Sequence, residues 1–223
     1  MIPLKDDNPT RTFPIINIAL IVINVLVFFY GVTLPPHDYK AFVLANAMVP
    51  QRIPAYLAGR TGFELAFFPL FTSMFLHGGV MHLLGNMLFL YIFGDNIEDT
   101  FGHVAYLFFY LFCGIASGVA HIVFNLHSSV PALGASGAIS GVMGAYAVLF
   151  PRARVYMLFS IFLVPVPAIL VLGYWFLLQF LSGIGEFGTS AMGGVAWWAH
   201  IGGFLMGMLV ALMVKPSRSA YSY

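Results

Sequence analysis

Charged side chains are scarce in this chain, at 8% of its 223 residues, where an average soluble domain has about 25%. Hydrophobic residues account for 61%. The formal net charge is only +1 and no basic stripe is present, so the sequence gives no case for nucleic-acid binding. Cysteine is almost absent as well, and the single Cys113 excludes an internal disulfide. This composition predicts an integral membrane protein.

Several motifs of membrane chemistry are also missing. No His-Glu-x-x-His sequence is present, and the long apolar stretches contain no pair of aspartates, which argues against the zinc and aspartyl classes of membrane protease. We therefore expect no metal and no cofactor. An electron carrier linked to haem or quinone is left as an alternative by four histidines in or beside the apolar stretches. These are His82, His103, His121 and His200.

Five long runs without charge account for most of the sequence. They are Thr12–His37, Leu65–Gly94, Thr100–Pro151, Val155–Gly185 and Phe187–Val214. A membrane-crossing helix needs about 20 residues, so the third run is long enough for two helices, joined near residues 125–133. All charged residues lie outside these runs, as the cost of placing charge in hydrocarbon requires. We predict an all-helical membrane protein in which six transmembrane helices form one bundle.

The runs divide the chain into a cytoplasmic N-terminal segment (residues 1–12), a six-helix membrane domain (13–214) and a cytoplasmic tail (215–223). The first run lacks an Ala-x-Ala-like end, so we interpret it as a retained span and not as a cleaved signal. Residues 34–70 contain five prolines and are expected to form an external loop that lies partly in the membrane. An acidic turn is expected on the cytoplasmic side at Asp95, Glu98 and Asp99.

Basic residues predict the orientation of the bundle. Six lie on the side of the two termini, namely Lys5, Arg11, Arg152, Arg154, Lys215 and Arg218. Three lie on the opposite side, namely Lys40, Arg52 and Arg60. Both termini are therefore predicted to be cytoplasmic, and we expect the membrane to be a prokaryotic plasma membrane.

The fourth predicted span is unusually short. It runs from Ser136 to about Phe150, and its 15 residues cover about 22 Å of a hydrocarbon core about 30 Å thick. If Arg152 marks its cytoplasmic end, Ser136 lies below the outer surface. Irregular backbone is tolerated at that depth only inside protein or beside water. We therefore expect a water-filled pocket that opens from the outside onto Ser136.

His200, in the sixth predicted span, lies at a matching depth. Ser136 stands 16 residues before Arg152, and His200 stands 15 residues before Lys215. Small residues at intervals of four allow close helix contact in both spans. They include Gly137, Gly141, Gly203 and Gly207. Packing alone would explain this pattern, but the contact would also bring His200 to Ser136, and an imidazole is the base that a serine nucleophile needs. We predict a Ser136–His200 dyad, although the spans contain no aspartate to orient the histidine.

The second span adds candidate hydrogen-bond donors. His82 and Asn86 are four residues apart and share one helix face. Their depth is near that of Ser136, whose backbone N–H is free at a helix N-terminus. These three groups are therefore candidates for an oxyanion hole. For His103 and His121 we expect a role as hydrogen-bond partners between helices.

At these residues the chain resembles the rhomboid family of intramembrane serine proteases. The similarity rests on Gly134-Ala135-Ser136-Gly137, on His82 and Asn86, and on Ala199-His200 followed by Gly203 and Gly207. It implies a six-helix fold with Ser136 as nucleophile and His200 as general base. It also implies that His82, Asn86 and the Ser136 amide form the oxyanion hole.

The resemblance further implies that the substrates are transmembrane helices of other proteins in the lipid bilayer. They would enter beside the fifth span, near Trp175 and Gln179, and under the loop at residues 182–190. Two features depart from the family. Many members have an aromatic residue where this chain has Ser140, which leaves open what supports the His200 ring, and the first external loop lacks a Trp-Arg pair. The oligomeric state and the substrate stay open, and a non-catalytic binder or transporter of membrane substrates is the alternative.

Overall fold

Helices dominate the part of the chain that the computed structural model describes, residues 2–186 and 195–214. In chain order the elements are β1 (Ile2–Asp6), α1 (Ile15–Thr33), α2 (Pro36–Asn46), α3 (Arg52–Leu57), α4 (Phe63–Phe67), α5 (Pro69–Thr72), a short 3-10 helix (Ser73–Phe75), α6 (Val80–Phe101), α7 (His103–Phe124), α8 (Ser136–Leu149), β2 (Arg154–Phe159), β3 (Phe162–Pro167), α9 (Ala168–Glu186) and α10 (Trp197–Val214).

Five of these helices are long and apolar enough to cross a membrane, namely α1, α6, α7, α9 and α10. The chain is thus a multi-pass membrane protein, as its composition predicts. Helix α8 has only 14 residues. It begins at Ser136, where the sequence predicts a short fourth span, and ends one residue before Phe150. The predicted tail, with Lys215 and Arg218, lies outside the described residues, and so do residues 187–190 of the loop expected at 182–190.

Helix α8 is the most deeply buried helix of the bundle. Eleven of its residues are buried, and it packs against α6, α7, α9 and α10. A Cβ atom at Gly203 would collide with the backbone carbonyl of Gly137, and one at Gly207 would collide with that of Gly141. The backbones of α8 and α10 therefore touch along the two small-residue faces. Only glycine fits at these points, because no other residue lets two helix axes approach so closely.

A three-stranded antiparallel sheet corrects the prediction of an all-helical chain. Its strand order is β1-β2-β3, and β2 and β3 form a hairpin whose turn contains Ser160 at φ 53°. The apolar run Val155–Gly185 predicts one span, but residues 155–159 and 162–167 form strands. Short apolar runs do not distinguish helix from strand, and prolines such as Pro165 and Pro167 disfavour a helix there.

The predicted acidic turn after the second span is also wrong, because α6 continues through it to Phe101. Gly102 follows the helix as its C-cap, and its φ of 79° suits glycine. Glu98 is fully buried on this last part of the helix and accepts hydrogen bonds from the backbone N–H groups of Ile16 and Asn17, at 2.9 and 2.7 Å. These N–H groups belong to the first turn of α1 and have no partner within that helix. The acidic residue therefore caps α1 from α6.

The segment between α1 and α6 consists of short helices and packs against the turn before α8. Met48 and Ala132 exchange backbone hydrogen bonds of 3.0 and 2.7 Å, and the Gly134 N–H donates to the carbonyl of Ser73 at 2.9 Å. Residues 125–135 are irregular but satisfy part of their backbone through this segment. These contacts fix the approach of the chain to Ser136.

Candidate active site

Ser136 and His200 come together at the contact of α8 with α10. The distance from Ser136 Oγ to His200 Nε2 is 2.8 Å, which is that of a hydrogen bond. The two residues are 64 positions apart in the sequence and meet because Gly137 and Gly203, close to them in the chain, are in backbone contact. The small-residue faces therefore set the distance between the two side chains.

The turn before Ser136 is built around Gly134. Its φ of 131° is unfavourable for any residue with a Cβ. A Cβ atom there would also lie 2.8 Å from His82 Nε2 and 3.6 Å from Ser136 Oγ. The His82 ring therefore occupies the space that a side chain at 134 would need, and it comes close to Ser136.

The N-terminal part of α6 carries the other predicted donors. His82 is exposed to the cavity, and Asn86 is 8% exposed. The Asn86 side-chain N–H group has no hydrogen-bond partner among the described residues, although it is buried. Ser136 is the first residue of α8, so its backbone N–H also lacks a partner within the helix. His82, Asn86 and Ser136 all line one cavity.

These groups line a single cavity of about 800 Å³ between α6, α8, α9 and α10. Its lining includes Gly78, His82, Asn86, Ser136, Trp175, Gln179, Trp197 and His200. None of the described residues that line it is Asp, Glu, Lys or Arg. The chemistry available in the cavity is therefore that of neutral side chains, a hydroxyl, imidazoles and amides.

The second ring nitrogen of His200 has a partner that sequence reasoning did not identify. His200 Nδ1 lies 2.7 Å from Gln179 Oε1. The Trp175 ring, one turn earlier on α9, lies 5.8 Å from the His200 ring between centroids, with 37° between the planes. Trp197 meets the same ring edge-on at 6.4 Å. The family resemblance implies a place at a substrate gate for Trp175 and Gln179, and their spacing of four puts them on one helix face.

Ser140 does not reach His200. Its hydroxyl donates to the backbone carbonyl of Ser136 at 2.5 Å, the local back-bond expected of serine within a helix. The aromatic contacts of His200 instead come from α9 and from its own helix.

Three further histidines have contacts of their own. His103 Nδ1 pairs with the Glu98 carboxylate at 2.5 Å, and His121 Nδ1 lies 3.4 Å from the Asn125 amide. The His77 ring is buried beside the His82 ring, 5.1 Å between centroids. Within residues 2–186 and 195–214, no group of three His, Cys, Asp or Glu side chains could hold a metal ion.

The fold and the site together define a class of protein. Its members are multi-pass helical membrane proteins with a hydrogen-bonded serine and histidine in a cavity between the helices. The family model described as the rhomboid domain matches residues 64–217, more than half of the chain. The chain belongs to the rhomboid family.

Relatives with this domain come from plants, fungi and bacteria. RHOMBOID-like protein 12, mitochondrial, of Arabidopsis thaliana is 32% identical over 165 residues, which cover 67% of this chain and 47% of the relative. Rhomboid protein 1, mitochondrial, of Saccharomyces cerevisiae is 33% identical over 155 residues, 65% of this chain and 41% of the relative. Rhomboid protease GluP of Bacillus subtilis is 42% identical over 76 residues, 34% of this chain and 14% of the relative.

The chain spans less than half of the length of these three relatives. Two of them are mitochondrial by name, which weighs against a prokaryotic plasma membrane as the location. The third comes from a bacterium, and the location stays a prediction.

Proposed function

We propose that this protein is an intramembrane serine endopeptidase that cleaves peptide bonds in or next to transmembrane segments of other membrane proteins. The observation that carries the proposal is the 2.8 Å hydrogen bond between Ser136 Oγ and His200 Nε2 at the wall of the cavity. The proposal includes α8 as a sixth, shortened span, with the segment before α6 lying partly in the membrane. Residues 13–214 form the membrane domain, and the flanking segments lie in the cytoplasm.

In this mechanism Ser136 Oγ attacks the carbonyl carbon of the scissile bond, and His200 Nε2 takes the hydroxyl proton. The protonated imidazole then gives that proton to the leaving amine, which frees the C-terminal product. An acyl-enzyme is left on Ser136. Water from the cavity attacks the acyl group, with His200 again acting as base, and restores the free hydroxyl.

The negative oxygen of the tetrahedral intermediate needs donors that are already in place. We propose that His82, the Asn86 amide and the Ser136 N–H supply them. The unpartnered Asn86 N–H group supports this assignment, because a buried donor without a partner costs about 1–3 kcal/mol unless something accepts from it. Removal of one such donor typically lowers kcat by about 100-fold or more.

The substrate helix must unwind before the dyad can reach its backbone, because an intact helix shields its own carbonyl groups. We therefore propose that preferred substrates carry Gly, Ala or Ser near the scissile bond. Entry is proposed beside α9, whose Trp175 and Gln179 line the cavity. The active site opens to the side of the membrane opposite the termini.

Cleavage of a fluorogenic transmembrane peptide by the purified protein in liposomes tests the proposal. Wild type is compared with Ser136→Ala and His200→Ala, and we expect cleavage to be lost in both variants. Ser140→Ala is the matched control, because Ser140 lies one turn away and its hydroxyl only bonds back to its own helix. Cleavage that survives Ser136→Ala would refute the dyad.

A fluorophosphonate that reacts with activated serine separates this activity from that of a non-catalytic binder. We expect labelling of wild type at Ser136, located by peptide mapping, and no labelling of Ser136→Ala. A binder or transporter with the same polar cavity has no reason to activate the hydroxyl and would stay unlabelled.

A further inference from the structure

Helix α9 packs on the cavity through one narrow face. Gln179 is 8% exposed, whereas its neighbours Leu177 and Leu178 are 49% and 43% exposed. Trp175 lies one turn before Gln179 on the same inward face and also lines the cavity. A polar side chain on the buried face of a helix with an otherwise apolar surface needs a partner, and here that partner is His200.

We propose that Gln179 and Trp175 are positioning residues that hold the His200 ring in its reactive tautomer and orientation. The proposal rests on the proposed function, since it concerns the base of that reaction. It assigns to α9 a direct effect on the chemical step, in addition to any effect on substrate entry.

The tautomer follows from the chemistry of the amide. Gln179 Oε1 has lone pairs and no proton, so the 2.7 Å contact requires His200 Nδ1 to carry the hydrogen. The neutral ring then has its lone pair on Nε2, the atom that faces Ser136 Oγ at 2.8 Å. A base needs this arrangement, because the opposite tautomer would present an N–H to the serine. When Nε2 becomes protonated, the same bond stabilises the imidazolium.

The orienting group in this cavity is neutral. The described residues that line the cavity include no carboxylate, and a carboxylate at position 179, which is 8% exposed, would lose most of its hydration. An amide oxygen orients the ring without that cost. Trp175 covers the ring at 5.8 Å, a distance within the usual range for aromatic pairs. Ser140 contributes no ring, so α9 supplies what the neighbouring helix α8 does not.

The position of α9 is coupled to the orientation of the His200 ring. Gln179 and Trp175 both belong to α9, which is also the helix proposed to border substrate entry. An outward shift of α9 would remove the Gln179 acceptor and the Trp175 contact together. Full activity therefore requires α9 to be packed against α10 at the moment of attack.

The test uses Gln179→Leu, which keeps the approximate volume but cannot accept a hydrogen bond, and Gln179→Glu, which restores the acceptor. Tyr174→Leu is the control for packing of α9, because Tyr174 is 56% exposed on the outer face. Two rates are measured for each full-length variant in liposomes. One is cleavage of the transmembrane peptide, and the other is inactivation by a small fluorophosphonate that needs the base but no helix-sized entry path.

For Gln179→Leu we expect kcat and the inactivation rate to fall together by about 30-fold, equivalent to about 2 kcal/mol, with KM unchanged within about twofold. Trp175→Leu should show a smaller fall of the same kind. Gln179→Glu should recover most of kcat, with the acid limb of the pH–rate profile moved to higher pH, because a carboxylate stabilises the protonated imidazole. Tyr174→Leu should match wild type.

Different results overturn different statements. A raised KM with an unchanged inactivation rate in Gln179→Leu would mean that Gln179 acts only at entry. A slow Gln179→Leu that is not recovered by Gln179→Glu, with the pH profile unmoved, would mean that it acts only in packing. If Gln179→Leu does not fold, the pH shift of Gln179→Glu alone decides. Wild type that neither cleaves nor labels would instead contradict the proposed function itself.

Discussion

Substitution of Gly203 by alanine should slow catalysis through the distance between two helices. The Cβ of an alanine at this position would collide with the carbonyl of Gly137, so α8 and α10 must separate. Ordinary van der Waals contact requires a shift of about 1 Å at this point. Ser136 and His200 flank the contact, and their hydrogen bond is 2.8 Å long. The same shift would lengthen it to about 3.8 Å, beyond hydrogen-bonding range.

A misplacement of about 1 Å between reacting groups costs about 100-fold in rate, and we expect a loss of that size in kcat. The assay is cleavage of the transmembrane peptide in liposomes, with the folded fraction measured in parallel by thermal unfolding. Gly173→Ala is the matched control, because a Cβ at Gly173 of α9 meets no atom within 4 Å, and its kcat should equal that of wild type. A folded Gly203→Ala protein with wild-type kcat would refute the claim that backbone contact sets the Ser–His distance.

Three further predictions concern stability and substrate. Glu98→Ala leaves two N–H groups of α1 without acceptors and should lower the free energy of unfolding by about 3 kcal/mol, as measured by denaturant titration. The control Asp99→Ala removes a more exposed acceptor and should lower that free energy by less than about 1 kcal/mol. Burial raises the pKa of Asp6 from 3.8 to about 6, so the folded state binds this proton more tightly than the unfolded chain does. The free energy of unfolding should therefore fall as pH rises from about 4 to 6. In Asp6→Asn that part of the pH dependence should vanish from melting curves. A substrate peptide with Leu in place of Gly, Ala and Ser near the scissile bond should be cleaved more slowly, as followed by mass spectrometry of the products.

Each of these three has an outcome that contradicts its reasoning. Equal unfolding free energies for Glu98→Ala and Asp99→Ala would show that Glu98 is not the cap of α1. Parallel pH curves for wild type and Asp6→Asn would show that the buried carboxyl does not titrate between these pH values. An unchanged cleavage rate for the Leu-rich peptide would mean that local unwinding does not limit the reaction.

The position of Ser136 at the start of α8 could be predicted from the sequence because two independent constraints agree on it. The apolar run that contains it is long enough for two helices joined near residues 125–133, which leaves only about 15 residues for the second helix. The basic residues after Phe150 mark the other end. The approach of His200 followed from small residues on both helices, since close backbone contact requires them. The length of the apolar run and the small side chains of the two helices thus predict this part of the site.

The hairpin of β2 and β3 could not be separated from the fifth span by composition, because strand and helix are both apolar in that run. A strand, unlike a helix, forms its backbone hydrogen bonds with another strand, and β1, which pairs with β2, lies about 150 residues earlier in the chain. Such pairing is not encoded in any local pattern. The continuation of α6 through its acidic residues was missed for a related reason, because the groups that satisfy Glu98 lie on α1 and α7.

The contact of Gln179 with His200 was hidden by the character of α9. Its surface is apolar on nearly every side, so the sequence alone does not reveal which face turns inward. Soluble serine hydrolases orient the histidine with an aspartate, and the spans of this chain contain none. In a bilayer that choice is costly, whereas a glutamine amide gives the same tautomer without a buried charge. When the spans contain no acid, a Gln or Asn on the helix beside a predicted Ser–His pair therefore predicts the group that orients the histidine.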